Sequence, residues 1–209
     1  MKIPGVSRNF SSRNWDKVPY PPGVKATRRE ILYAGGIGLL SFTLGGAKVE
    51  LSPRDAREAG VKPRVLLSSE EETLAALGDR IVPGSRESGV SVYVDHQLAV
   101  SFEECMLMIQ YLGVAPPFTS FYRSGLSSVN SVARARHGQP FAELTDANAE
   151  ALIEDMASEK LEDWEGPPQG LFYFVIRNDA CDVQYGTQEG FVRLNVPYAA
   201  HILPPSEWG

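Results

Sequence analysis

Histidine, cysteine and catalytic signatures are what this 209-residue chain has least of. Its three histidines, His96, His137 and His201, are scattered along the sequence. An enzyme of this size normally brings together a nucleophile and its base, a metal cluster or a phosphate loop. None of G-x-S-x-G, H-E-x-x-H or G-x-x-x-x-G-K occurs. The two cysteines, Cys105 and Cys181, stand far apart, and without a C-x-x-C-H stretch the chain cannot attach a c-type haem by that motif. In an oxidising compartment the pair can form a disulfide, with each other or with another chain; elsewhere they serve as two small buried hydrophobes. Long apolar runs are missing too. Ile31 to Leu44 falls short of the roughly 20 residues needed to span a bilayer.

Basic charge is scarce everywhere except at the start. Residues 1–47 hold 7 of the 20 basic and 2 of the 26 acidic side chains, which leaves 13 against 24 on the remaining 162 residues, a net of −11. A body this acidic is unsuited to nucleic acid, whose affinity comes largely from neutralising phosphates. It is equally unsuited to an anionic membrane surface. Its 162 residues are enough to bury a core of ordinary size.

What is present at the start is an address. Lys2, Arg8, Arg13, Lys17 and Lys25 lead to Thr27-Arg28-Arg29, directly before a short glycine-rich apolar run ending at Ala47. A basic segment, an apolar segment and a small-residue end make an export signal. Adjacent Arg28 and Arg29 point to the twin-arginine translocase, which carries proteins already folded. Ile31 and Tyr33 depart from the usual S/T-R-R-x-F-L-K pattern. A dinucleotide fingerprint fails on the same stretch, because Ser41 stands where the third glycine belongs and no strand is expected before Gly36. Five glycines between Gly35 and Gly46 also weaken a core helix, by up to about 1 kcal/mol each. Gly45 and Ala47 supply small residues at −3 and −1 of a cleavage site. The expected division is therefore a signal leader over 1–47, a loosely ordered linker arm over 48–68 and a helical domain with a tail over 69–209. The polar, proline-punctuated residues 1–26 are expected to be disordered.

Within that domain, Ser69 with Glu72 reads as a capping box, followed by Leu74, Leu77 and Ile81 at helical spacing and a stop at Pro83-Gly84. Val94, Leu98 and Phe102 keep one apolar face over 90–110. Cys105, Leu107, Met108, Tyr111 and Leu112 extend the stripe after a break near 99–101, and Pro116-Pro117 ends it. A third helix is predicted from Thr119 to His137, closed by Gly138, and another after Thr145, whose hydroxyl can cap it. Periodicity cannot decide whether Leu171 to Ile176 is strand or buried helix. Helix is preferred, since no partner strand is evident. From Tyr185 onward an irregular tail carries aromatic anchors at Tyr185, Phe191, Tyr198 and Trp208. The fold class is all-α.

Two carboxylate arrangements are the candidates for chemistry. Asp95 and His96 are adjacent and can act as acid and base, or can simply be a helix-surface pair. Asp179 and Asp182 share a helix face at i, i+3, with Glu189 further on. Such a pair can share a proton or hold a cation, and a solvated helix end accounts for it equally well.

Over residues 70–209 the sequence resembles the gluconate 2-dehydrogenase subunit 3 family. The resemblance is carried by Leu74-Ala75-Ala76-Leu77-Gly78-Asp79-Arg80-Ile81-Val82-Pro83-Gly84 and by Gly89-Val90 with Tyr93, Val94, Asp95 and Leu98. Phe141-x-x-Leu144, the run Leu171 to Ile176, and Tyr185-Gly186 continue it. Where many members have Tyr-Gly-Gly-Asn, this chain reads Tyr185-Gly186-Thr187-Gln188.

The resemblance implies a non-catalytic small subunit of a periplasmic sugar, sugar-acid or alcohol dehydrogenase, held at the inner membrane through its complex. FAD would sit in a large partner of the glucose-methanol-choline oxidoreductase type, and haem c in a cytochrome subunit where one exists. This chain would hold neither cofactor and no metal. Its role would be to support folding, flavin loading and export of the large subunit, with the tail aromatics as the partner interface. The rival readings are an independent periplasmic enzyme using Asp95/His96 or Asp179/Asp182, and a transient export chaperone.

Overall fold

The computed structural model describes residues 40–44 and 47–195. Arg28, Arg29, Tyr198, His201 and Trp208 lie outside the described residues, as does the segment 1–26.

Among the described residues seven α-helices dominate, and the all-α reading holds, with one small addition at the N-terminal side. Strands β1 (Leu40–Leu44) and β2 (Ala47–Leu51) form an antiparallel hairpin in which Leu40 faces Leu51 and Leu44 faces Ala47. Alternation puts Leu40 and Phe42 on one face, and both are buried. The end of the expected leader is thus a strand of the body. The expected linker is ordered as well. Ser52 caps helix α1 (Pro53–Glu58) by accepting the Asp55 N–H at 3.1 Å, and Pro53 opens the helix where no N–H is required. Ala56 from α1 and Leu66 from the segment that follows are both core residues.

Helix α2 (Ser68–Ile81) starts one residue earlier than its predicted cap. Glu70, not Glu72, reaches back to the chain entering the helix and accepts the Leu67 N–H at 2.7 Å. Leu67 has no side-chain oxygen to complete a box, so one orphan donor is satisfied instead of two. Helix α3 (Val90–Leu98) follows a turn ending at Gly89, whose φ is +87°. A Cβ there would overlap the Pro53 carbonyl, so glycine lets α1 pack against the start of α3.

Helices α4 (Thr119–His137), α5 (Asp146–Ala157), α6 (Gln169–Tyr185) and α7 (Gln188–Arg193) complete the fold. Gly138 closes α4 in the left-handed conformation, and the Thr145 hydroxyl caps α5, both as the sequence predicts. Helices α2 and α6 form the central pair. They touch each other, and both touch α3, α4 and α5. Where α4 meets α6, Gly125 leaves the room that the Phe172 ring fills. Phe121 and Trp164 flank that ring at 5.7 and 5.8 Å between centroids. Phe172, Val175 and Ile176 are fully buried, Leu171 and Tyr173 are half-buried, and Phe174 is exposed, so one face of this apolar run enters the core and the other does not.

The tail is helical for longer than expected. After Gly186, Thr187 caps α7 by accepting the Gly190 N–H at 3.1 Å. One buried amide then ties distant segments together. Gln184 accepts from the Ser88 hydroxyl at 2.5 Å and from Arg193 at 2.9 Å, while its Nε2 donates to the Pro83 carbonyl at 3.1 Å.

Candidate interaction surface and the buried acids

Asp95 is placed by α3 beneath the segment that leads into α2, and its carboxylate is occupied. Oδ2 accepts the Arg64 N–H at 2.7 Å, and Oδ1 accepts those of Val65 and Leu66 at 2.8 and 2.7 Å. Three consecutive backbone donors converging on one carboxylate fix a turn of the chain. Beside it, His96 donates from Nε2 to the Ser41 carbonyl at 3.0 Å, and Phe42 packs edge-on against its ring at 5.0 Å. Burial pushes the imidazole below its usual range, so the ring is neutral; its Nδ1 is buried without a partner. The cavity between these residues, Glu71 and the 61–64 segment holds about 10 Å³, room for roughly one water. A sugar needs far more, since ligand pockets run to roughly 300 Å³ and above. Asp95 and His96 therefore hold the chain segments 64–66 and 40–44 against α3.

Asp179 and Asp182 share the predicted face of α6, but their surroundings differ. Asp179 is fully buried and accepts the Tyr122 hydroxyl at 2.6 Å and the Met108 N–H at 3.4 Å. Burial pushes its carboxyl up to about 7, against the lowering effect of the Tyr122 hydrogen bond. Asp182, half-buried one turn on, is raised to about 6 by burial. A solvated helix end does not describe Asp179, which is a core acid. Among the described residues no group of three His, Cys, Asp or Glu side chains is placed to hold a metal ion.

Cys105 is buried, Cys181 is half-buried, and both are free thiols. Burial raises both above the usual thiol range, which keeps them protonated and poorly nucleophilic.

The segment joining α3 to α4 departs from its predicted helical stripe. After a break at 99–101 it forms only two short 3₁₀ turns, Phe102–Glu104 and Met108–Tyr111. From the end of the first turn into the second, Cys105, Leu107 and Ile109 turn inward with period two, not 3.6. Its backbone is laced to the helices beneath. The Gln97 amide oxygen accepts the Met106 N–H at 2.8 Å, the Tyr93 hydroxyl donates to the Met106 carbonyl at 3.3 Å, and Asp179 takes the Met108 N–H. On the outer side, Gln110 donates to the Phe102 carbonyl at 2.8 Å and draws the two turns together. This leaves Phe102, Tyr111 and Leu112 exposed at 46, 64 and 37 %. A rigidly backed group of exposed apolar side chains is the usual mark of an interaction surface. Sequence reasoning assigned these residues to a buried stripe. The missed signal was the alternation at 105, 107 and 109.

Of the predicted tail anchors, Tyr185 packs at the edge of the core and Phe191 is half-buried on α7. The exposed apolar residues of α7 and the turn after it are Val192 and Leu194.

Set beside known proteins, the chain matches the family described as gluconate 2-dehydrogenase subunit 3 over residues 68–200. No curated protein and no solved structure matches it.

Proposed function

The chain belongs to the gluconate 2-dehydrogenase subunit 3 family and is a subunit of a gluconate 2-dehydrogenase-type complex, in which we propose that it is the non-catalytic partner of a large flavoprotein. The large subunit, of the glucose-methanol-choline type, would bind FAD and oxidise a sugar, sugar acid or alcohol. A cytochrome c subunit, where the complex has one, would pass the electrons on. This chain would support folding and flavin loading of the large subunit. Through Arg28 and Arg29 it would bring the assembled pair across the inner membrane to the periplasm.

The observation that carries this reading is the family match across 68–200. Two features of the structure support it. Two of the acids that an independent enzyme would use are engaged in holding the fold, Asp95 by three backbone N–H groups and Asp179 by Tyr122 and Met108. Phe102, Tyr111 and Leu112, with Val192 and Leu194, offer apolar area for a partner to cover. The tail residues Tyr198 and Trp208 would add aromatic contacts of the kind enriched at interfaces.

The test is purification of a C-terminally tagged chain from its native host. A large flavoprotein at equal stoichiometry, with a flavin spectrum and dye-linked dehydrogenase activity, is the expected result. A colourless tagged chain recovered alone refutes the permanent-subunit reading.

A further inference from the structure

Strand β1 lies inside the stretch read as the apolar end of the export signal, and the expected cut follows Ala47. We infer that β1 is a permanent part of the mature protein: the leader is not cut after Ala47, and any processing falls before Leu40. The inference rests on the twin-arginine reading proposed above.

Four observations carry it. First, Leu40 and Phe42 are core residues, exposed at only 4 and 5 %. Second, the bond between Ala47 and Lys48 lies within a paired ladder. Leu44 stands opposite Ala47, and Thr43 opposite Lys48. A peptidase draws its substrate into an extended, unpaired form so that it can pair with the backbone itself, and here the hairpin would have to unzip first. Third, the Ser41 carbonyl takes the only hydrogen bond that the His96 ring makes among the described residues. Losing β1 would strip that bond from a buried imidazole and leave β2 as an open edge. Fourth, residues 31–39 still give nine residues of glycine-rich apolar chain, within the range of about 7–15 that such signals use. Export therefore does not need residues 40–44 to be free. Because the twin-arginine route moves folded cargo, the hairpin would already be closed when the chain meets a peptidase.

The experiment is intact-mass and N-terminal sequence analysis of the chain purified from the exported fraction of its native host, paired with thermal unfolding of full-length Phe42→Ser. The expected mature chain begins at or before Leu40, and Phe42→Ser lowers the unfolding midpoint by about 5–10 °C. If Phe42→Ser does not accumulate, Leu40→Ala gives the same readout at smaller size. An N-terminus at Lys48 overturns the inference while leaving the export reading intact. Conversely, a chain found only in the cytosol with residues 1–39 whole defeats the export reading. The strand is then judged by the variants, and an unchanged midpoint overturns it.

Discussion

Replacing Asp179 with Asn should change the sign of a stability difference between acid and neutral pH. Burial raises the Asp179 carboxyl from 3.8 to about 7. The folded state therefore holds its proton more tightly than the unfolded chain does. Stability from this group is complete below about pH 4, falls as pH rises toward 7, and is level above that. At about 1.36 kcal/mol per unit, the shift corresponds to a loss on the order of 4 kcal/mol across the window. Asn carries no charge at any of these pH values, so the variant lacks this slope. It carries a different cost. Its amide oxygen can accept from Tyr122, but its NH₂ cannot accept the Met108 N–H, and an unmet buried pair costs about 1–3 kcal/mol.

Asp179→Asn should therefore be less stable than the parent at pH 4 and at least as stable at pH 8. The swing in the difference between the two midpoints should be of order 10 °C, at roughly 2–4 °C per kcal/mol for a domain of this size. Thermal unfolding by circular dichroism at half-unit steps measures it. Asp182 and Glu71, also raised by burial, and His96, which is lowered, titrate in both proteins and cancel to first order in the difference. Tyr122→Phe is the control. Without the hydroxyl that lowers the Asp179 carboxyl, the parental transition should move to higher pH. A difference between parent and Asp179→Asn that stays constant from pH 4 to 8 would refute the reasoning.

Three further outcomes follow from the same contacts. Gly125→Ala should destabilise by about 1–3 kcal/mol, read as a fall in denaturant midpoint, because its methyl group meets the Phe172 ring. Asp95→Ala should cost about 3 kcal/mol or more and remove hydrogen-exchange protection at Arg64, Val65 and Leu66; protection that persists would contradict the carboxylate's role. The double variant Phe102→Ser with Tyr111→Ser should keep its unfolding midpoint within about 2 °C yet retain at most a tenth of the large subunit on a tagged column, and full retention would move the interface elsewhere.

Elements governed by local signals were legible in advance. Gly138 after His137 and Thr145 before Asp146 delimit α4 and the start of α5, because caps act within one turn of the residues that form them. The hairpin was not legible. Leu40 and Phe42 sit in a run that satisfies the pattern of a signal, and what makes them a strand is a surface supplied by α3, some fifty residues on. The cap of α2 was misplaced because several acids follow one another there, and only the entering chain selects Glu70. The Asp95 clamp is invisible for a related reason. Its donors are backbone groups about thirty residues away, and backbone N–H groups leave no mark in a sequence. Asp179 and Asp182 were found as a pair, whereas the burial that separates them depends on Tyr122 from another helix.

The Gln184 amide has a consequence for how far the end of the chain can act. Arg193 is fastened to the same side chain that grips Ser88 and Pro83, so the residues after Asn195 set out from an anchored point. A fully extended chain covers at most about 3.6 Å per residue. No conformation can therefore carry Tyr198 more than roughly 10 Å from Asn195. For Trp208 the same bound is about 45 Å. One buried glutamine thereby sets the point on the folded body from which both distances are measured.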